Sequence, residues 1–207
     1  MKYNGPKNRI SRRENTDLGF KTAGSKAQAS LLRKLNVKPG QHGTSKRRRK
    51  QSEHGKQLRE KQKLRYMFGV TDSGLKRYFT KAIRMKGNTG QILGQLLEKR
   101  LDNVIYRLGL APTRASARQL IGHKHVKVND KLVNIPSFQL KKGDAVKFVS
   151  EKSEKIPYVQ GMLENTNIII PEWLERKKLA GTIKVEPSSE DIEKQVNMRS
   201  VVEFYSR

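Results

Sequence analysis

Cationic side chains at regular spacing mark residues 100–125 as a candidate binding surface. Arg114 and Arg118 lie one helical turn apart, so their guanidinium groups leave a helix in parallel. A guanidinium fork holds two oxygens of one phosphate, and an imidazole adds stacking or ribose contacts. The stretch predicts a groove for an RNA backbone, formed by Arg100, Arg107, Arg114, Arg118, His123, Lys124 and His125.

Other candidate RNA-binding residues lie in the first 90 positions. They include an uninterrupted cationic run at 46–50, which repels itself and orders only when phosphates neutralise it. Alone, such a run fits a solvated tail equally well; here the cationic excess continues beyond it, which favours nucleic acid. The candidates are Arg12, Arg13, Arg47, Arg48, Arg49, Lys50, Arg59, Lys63, Arg65 and Lys86.

Neither a catalytic site nor a metal site is expected. The chain has no cysteine, which excludes thiolate ligands and thiol nucleophiles. His123 and His125 would share one face of a strand and could chelate a metal, but no carboxylate ligand lies near them. Glu98 and Asp102 have i, i+4 spacing beside basic residues, which favours ion pairing or a helix-surface role over acid–base catalysis. No cofactor is predicted.

Net charge narrows the class of partner. The 207 residues include 45 Lys and Arg against 19 Asp and Glu, a net charge of +26. Residues 1–66 contribute +16 and residues 67–150 contribute +11, whereas residues 151–207 sum to −1. A polyanionic partner is therefore expected. Membrane binding is not, because the arginine-rich run lacks the bulky aromatics of an amphipathic anchor and no apolar run could span a bilayer.

Apolar periodicity predicts the helices that would position these cations. A helix with few apolar positions is expected over Glu53–Tyr66, and a helix with a core-facing apolar stripe is expected over Ser73–Ile83. One long helix should follow, with an apolar face running from Ile92 to Leu108. A shorter helix should begin after the N-cap Thr113 and end at Gly122.

The rest of the chain predicts strands and irregular backbone. Alternating residues favour a hairpin with its turn at Asn129-Asp130, then a third strand at Ala145–Val149. A further strand is expected at Thr182–Glu186, and the apolar run Val201–Tyr205 favours a final strand. Residues 1–52 are expected to be irregular.

Arg114 and Arg118 are predicted to lie off the apolar face of the short helix. Replacing both with glutamate should therefore weaken RNA binding severely and leave the helix intact.

Several recognisable motifs follow one another along the chain. The first half has Pro39–Gly43, Gln57–Arg65 and Lys86–Gly90; the second half has Leu97–Gly109, Thr113–Leu120, His123–Asn129, Val133–Ser137 and Val202–Ser206. On these motifs the chain resembles the small-subunit ribosomal proteins numbered four in the bacterial series. The matches run in order over nearly the whole chain.

The resemblance implies an α+β fold. A mostly helical domain would carry an inserted small α/β RNA-binding module of two helices and short antiparallel strands. The implied boundaries are an extended basic N-terminal segment at 1–43, a mostly helical domain at 44–90 plus 188–207, and an inserted domain at 91–187 with the module at about 91–150.

The resemblance also implies a function in the cytoplasmic ribosome. Such a protein is a structural component of the small subunit that binds its ribosomal RNA directly at a multi-helix junction and nucleates assembly of the subunit body. It would also contribute to the messenger RNA entry path and to translational accuracy. The implied partners are ribosomal RNA, messenger RNA and the ribosomal proteins numbered three and five, with no membrane and no self-association.

Two features depart from the family pattern. Some relatives carry a cysteine zinc cluster in the first fifty residues. Because this chain has no cysteine, the resemblance implies an N-terminal segment fixed by RNA and neighbouring proteins alone. The family often has Asn-Gly at the hairpin turn, where this chain has Asn129-Asp130, so the turn geometry is open to question.

Two other classes of protein fit parts of the sequence. The same module is appended to pseudouridine synthases and some tRNA synthetases, but the roughly 55 residues that follow it here are too few for a catalytic domain. A general nucleic-acid or membrane-surface protein would match the charge but not the ordered motifs.

Overall fold

The chain forms two compact units. Unit 1 comprises Met1–Gly94 with Ser189–Arg207, and unit 2 comprises Gln95–Ser188. A computed structural model describes residues 5–44, 51–150, 153, 155–164, 168–177, 179–187, 192 and 195–206. Among these residues, no helix has both the length and the apolar character needed to cross a bilayer.

Seven helices come first along the described residues, and the short antiparallel strands follow among the last helices, which confirms the predicted α+β class. Helices predicted near 53–66 and 73–83 form within two residues of their expected bounds. In chain order the elements are α1 (Lys7–Glu14), α2 (Lys26–Arg33), α3 (Glu53–Met67), α4 (Asp72–Ile83), α5 (Thr89–Glu98), α6 (Leu101–Arg107), α7 (Arg114–Gly122), β1 (Val126–Val128), β2 (Lys131–Leu132), β3 (Ala145–Phe148), α8 (Pro157–Glu164), β4 (Leu174–Lys177), β5 (Ala180–Ile183) and α9 (Met198–Tyr205).

The N-terminal segment is more regular than the sequence predicts. α1 and α2 occupy part of the region expected to be irregular, because Leu18 and Leu31 supply buried apolar contacts and Ser25 caps α2. The Gln28 side-chain amide donates to Asp17 at 2.7 Å, and Arg12 Nε donates to the carbonyl oxygen of residue 37 at 2.8 Å. The expectation that only RNA and neighbouring proteins fix this segment is therefore wrong.

The apolar run Val201–Tyr205 is helical, so the predicted final strand is wrong. Asn197 caps α9 by accepting a hydrogen bond from a backbone N–H three residues on. α9 packs against α3 and α4, and the ring of Tyr205 stacks on that of Phe79 with centroids 4.7 Å apart. This packing outweighs the strand preference of β-branched and aromatic residues.

Unit 2 is built on a five-stranded antiparallel sheet of order β2-β1-β3-β5-β4. Val126 is opposite Phe148 and Val128 is opposite Val146 across β1 and β3. The inward side chains join the apolar faces of α6 and α7 in one buried cluster. The predicted hairpin and third strand are confirmed, and β5 overlaps the strand expected at 182–186.

The long helix predicted over Ile92–Leu108 is divided in two. Between α5 and α6, Arg100 is extended (φ −69°, ψ 137°) and forms an isolated antiparallel bridge with Gln139. The first two N–H groups of α6 donate to the carbonyl oxygens of Phe138 and Pro136, at 2.9 and 3.1 Å. The 136–139 segment thus satisfies donors that a continuous helix would satisfy internally, and this allows the break.

The hairpin turn keeps its geometry without a glycine. Asn129 and Asp130 have φ of 47° and 66°, the two positive values that a type I′ turn requires. The Asn129 side chain donates to Asp144 at 2.7 Å and accepts from the Ala145 N–H at 2.9 Å, which anchors the turn to β3. The Asp130 carboxylate pairs with Lys147.

Candidate nucleic-acid interface

Glu98, the last residue of α5, is a buried carboxylate that holds Arg107. Only 1% of its side chain is exposed. Arg107 donates through Nε at 3.2 Å and Nη2 at 2.7 Å, one to each carboxylate oxygen. This two-point contact fixes the plane of a guanidinium that is itself 20% exposed.

Asp102, in the first turn of α6, holds two further arginines. Arg100 donates to both of its oxygens, at 3.0 and 2.8 Å, and Arg118 of α7 donates through Nε at 2.6 Å. The Asp102 side chain is only 2% exposed, so its charge is compensated by these guanidinium groups and not by water. The predicted ion-pairing role of Glu98 and Asp102 is confirmed.

Asn103 links the Glu98 pair to α7. Its side-chain nitrogen donates to the carboxylate and the backbone carbonyl of Glu98, and its side-chain oxygen accepts from Arg114 Nε at 2.8 Å. The Arg114 guanidinium also lies 4.5 Å from the ring centroid of Tyr106. Burial lowers the pKa of Arg114, although an arginine remains protonated.

These contacts form a guanidinium network, consisting of Glu98, Arg100, Asp102, Asn103, Arg107, Arg114 and Arg118. Four guanidinium groups meet two carboxylates, so the network keeps a net charge of +2. The carboxylates hold the arginines in one arrangement, which lowers the conformational entropy lost when an anion binds.

Arg100 is placed differently from its predicted role. The sequence assigns it to the phosphate-binding surface, but its side chain is 5% exposed and directed at Asp102. Arg100 therefore supports the network from within, while Arg107, Arg114 and Arg118 lie nearer the surface. The double glutamate substitution stays a prediction, and the structure adds that a carboxylate at 118 would face the buried Asp102.

The residues after α7 present cations on a tight turn. Lys124 adopts φ +63° and is exposed beside the exposed His123. The His125 ring is 6.2 Å from that of His123 and contacts the Ser153 hydroxyl at 3.0 Å. His123 is the C-cap residue of α7, and both histidines precede β1. The prediction that they share one face of a strand is therefore wrong. No set of three or more potential metal ligands occurs among the described residues.

The predicted cations of unit 1 occupy several environments. Lys63 pairs with Glu60 at 2.6 Å, and Arg65 pairs with Asp72. Lys86 is exposed and forms no ion pair with a described carboxylate. Arg12 holds the backbone near residue 37, whereas Arg13 and Arg59 line a cleft described below. The predicted residues Arg47, Arg48, Arg49 and Lys50 lie outside the described residues.

Comparison with known proteins identifies the family. The family model described as Ribosomal protein S4/S9 N-terminal domain matches residues 2–98, and the S4 domain model matches residues 99–146. A Chromobacterium violaceum protein named Small ribosomal subunit protein uS4 is 44% identical over all of this chain and 99% of its own length. The chain belongs to the uS4 family. Proteins of the same name from Neisseria meningitidis serogroup B and Paraburkholderia xenovorans are 47% and 45% identical, with the same coverage.

The guanidinium network lies across the boundary between the two uS4 family models. Glu98 ends the N-terminal match, and the six other network residues belong to the S4 domain match. The uS4 relatives are named as ribosomal proteins, which agrees with the prediction from the sequence that the chain is not an enzyme.

Sequence reasoning missed the network residue Asn103 and also Tyr106, whose ring lies against the Arg114 guanidinium. An asparagine on an apolar helix gives no signal of its own. The pairing of Asn103 with Glu98 and Arg114 depends on the break between α5 and α6, which periodicity did not predict.

Proposed function

We propose that this chain binds small-subunit ribosomal RNA directly, as a structural component of the small subunit in the cytoplasmic ribosome. The guanidinium network carries the proposal. It combines a net positive charge, partly exposed guanidinium groups and buried carboxylates that hold them in place. Planar forks at fixed positions suit the oxygens of an RNA backbone.

The proposed RNA surface of unit 2 comprises Arg107, Arg114, Arg118, His123, Lys124 and His125, with Arg100 as a positioning residue. Exposed Lys124 and His123 extend the positive surface beyond α7. In unit 1 the proposed contacts are Arg12, Arg13, Arg47, Arg48, Arg49, Lys50, Arg59, Lys63, Arg65 and Lys86.

The finer functions follow from membership of the uS4 family. We propose that the chain binds a multi-helix junction early, nucleates assembly of the subunit body, and contributes to the messenger RNA entry path and to translational accuracy. The ribosomal proteins numbered three and five are its proposed neighbours.

Salt dependence tests the RNA-binding proposal. If the full chain contacts about six to eight phosphates of a junction-containing ribosomal RNA fragment, the logarithm of the binding constant should fall against the logarithm of salt concentration with a slope of about −5 to −7. A binding constant that hardly changes between low and moderate salt would contradict the proposal.

Sedimentation tests the place in the subunit. The chain should co-sediment with small subunits and crosslink to their RNA from residues of the guanidinium network. Crosslinks found only to protein would contradict direct RNA binding.

A further inference from the structure

A cleft of about 250 Å³ lies between α1 and α3 in unit 1. Arg9 and Arg13 line it from α1, one helical turn apart and therefore on the same face. Arg59 lines it from α3, with Gln62 and Tyr66 on the next turns. Three guanidinium groups from two helices thus meet at one concave site.

Glu14 fixes one wall of this cleft. Its side chain is 1% exposed, and one carboxylate oxygen accepts a hydrogen bond from Arg59 Nη1 at 2.9 Å. The other oxygen is buried without a hydrogen-bond partner, and burial raises the pKa of Glu14. A buried carboxylate in this setting depends on nearby cations, so it holds the Arg59 guanidinium at the wall.

Glu14 leaves most of the positive charge of the cleft uncompensated. Arg9 and Arg13 are exposed, and neither forms an ion pair with a described carboxylate. Three guanidinium groups with one carboxylate give the site a net charge of +2. Such convergence of like charges is unfavourable until an anion occupies the space between them.

We propose that the cleft between α1 and α3 holds a single backbone phosphate of the bound RNA, with Arg9, Arg13 and Arg59 as its ligands. This inference rests on the proposed RNA-binding function and adds a defined subsite outside the S4 domain. A phosphodiester suits the site because its negative charge matches the uncompensated positive charge there. Its two non-bridging oxygens are arranged tetrahedrally about phosphorus and each accepts more than one hydrogen bond, so they can meet forks from two helices.

Paired glutamine substitutions test the subsite in the full chain. One variant carries Arg9→Gln with Arg13→Gln. The control carries Lys26→Gln with Arg33→Gln, two exposed α2 positions outside the cleft with the same change in net charge. Glutamine favours a helix, and the Glu14–Arg59 pair is left unchanged in both variants.

The subsite variant should bind the junction RNA roughly fivefold more weakly than the natural chain at 0.15 M salt, and its salt slope should be less steep by about 1, as expected for one lost phosphate contact. The control variant should change both quantities less. Equal losses in the two variants would mean that net charge alone acts, and would overturn the subsite.

Ethylation interference identifies the phosphate. Ethylating one phosphate, or two adjacent ones, should weaken binding of the natural chain and of the control but not of the subsite variant. An unchanged interference pattern in the subsite variant would overturn the proposal. If the natural chain does not bind the junction RNA specifically, the proposed function itself fails. That result is distinct from an unchanged interference pattern, which overturns only the subsite.

Inorganic phosphate is the second probe. Millimolar phosphate should shift the Nε–H resonances of Arg9, Arg13 and Arg59 together and leave that of Arg33 unchanged. Shifts spread evenly over all exposed arginines would indicate no built site. Selective shifts without an ethylation-sensitive phosphate would assign the cleft to a free anion and overturn the RNA subsite.

Discussion

Asp102 in unit 2 and Asp72 in unit 1 each hold two cations, but their surroundings differ. Asp102 pairs with Arg100 and Arg118 and is 2% exposed. Asp72 pairs with Lys61 at 2.9 Å and with Arg65, and is 52% exposed. Water can replace the partners of Asp72 but not those of Asp102.

This difference separates two kinds of RNA-binding surface. Around Asp102 the arginines are held before RNA arrives, so little conformational entropy is lost on binding. Around Asp72 the carboxylate itself is exposed, so water can solvate it when Arg65 leaves for a phosphate, and this exchange costs little because ion pairs at an exposed group contribute little to stability. Lys61, the other partner of Asp72, is buried. Unit 2 therefore presents a preformed surface, and this part of unit 1 presents an exchangeable one.

The largest difference in stability is expected between removing the charge of Asp102 and removing the charge of Asp72. Asp102→Asn should lower the unfolding free energy of unit 2 by about 3–5 kcal/mol, because it leaves a buried guanidinium uncompensated. Asp72→Asn should cost unit 1 no more than about 1 kcal/mol. Fluorescence of Trp173, the single tryptophan and a buried residue of unit 2, reports the first, and hydrogen exchange of the α4 amides reports the second. Equal losses of unfolding free energy in the two variants would contradict the distinction between a preformed and an exchangeable surface.

A smaller effect is expected from the buried amides. Asn103→Leu should cost about 1–3 kcal/mol, because it leaves Glu98 and Arg114 without the group that joins them. Gln57→Leu in unit 1 should cost less than about 1 kcal/mol, because it removes one hydrogen bond, from Nε2 to the exposed Glu203 at 3.0 Å, and also removes a side-chain oxygen that is buried without a partner. Urea denaturation of each variant measures both values. A costly Gln57→Leu would show that the exchangeable unit also depends on a buried polar link.

RNA affinity should separate single arginines of the two surfaces. Arg118→Gln should weaken binding about tenfold, since a held guanidinium delivers most of a charge-assisted hydrogen bond. Arg65→Gln should weaken it only about threefold, because the exposed Asp72 holds the Arg65 guanidinium less firmly, so more conformational entropy is lost when a phosphate binds. RNA titrations of both variants at one salt concentration give the ratio of the two affinity losses. Equal losses would argue against preorganisation of the unit 2 surface.

The smallest effect concerns pH and Glu14. Burial raises the pKa of Glu14 above its ordinary value of 4.5, so the native state binds this proton more tightly than the unfolded state. The destabilisation is absent below pH 4.5 and complete above the raised pKa, so this contribution to unit 1 stability falls as pH rises through that window. Glu14→Gln should flatten the pH dependence, as hydrogen exchange of α1 amides would show. If Glu14→Gln showed the same pH dependence of stability as the natural chain, a group other than Glu14 would be titrating.

Local patterning predicted the elements that form from neighbouring residues. α3 was expected in spite of few apolar positions, α4 follows from apolar spacing, α7 follows from apolar spacing and its N-cap Thr113, and the hairpin follows from alternation around Asn129-Asp130. Elements decided by distant contacts were missed. α9 becomes a helix because it packs on α3 and α4, and the α5–α6 break exists because the 136–139 segment accepts hydrogen bonds from α6.

The candidate site was predictable by residue type but not by arrangement. Composition and spacing identified Arg107, Arg114 and Arg118. Spacing could not show that Arg100 turns inward, because that follows from its extended backbone at the break. Nor could it show the α1–α3 cleft, since Glu14 and Arg59 are 45 positions apart.

The discontinuity of unit 1 sets an order of events during synthesis of the chain. Unit 2 is one continuous stretch and can mature as soon as that stretch has left the exit tunnel. α3 and α4 are made earlier, yet the surface that α9 covers stays open to solvent until residues 198–205 emerge. Unit 2 would therefore finish folding first, and unit 1 would finish last, when α9 packs on α3 and α4.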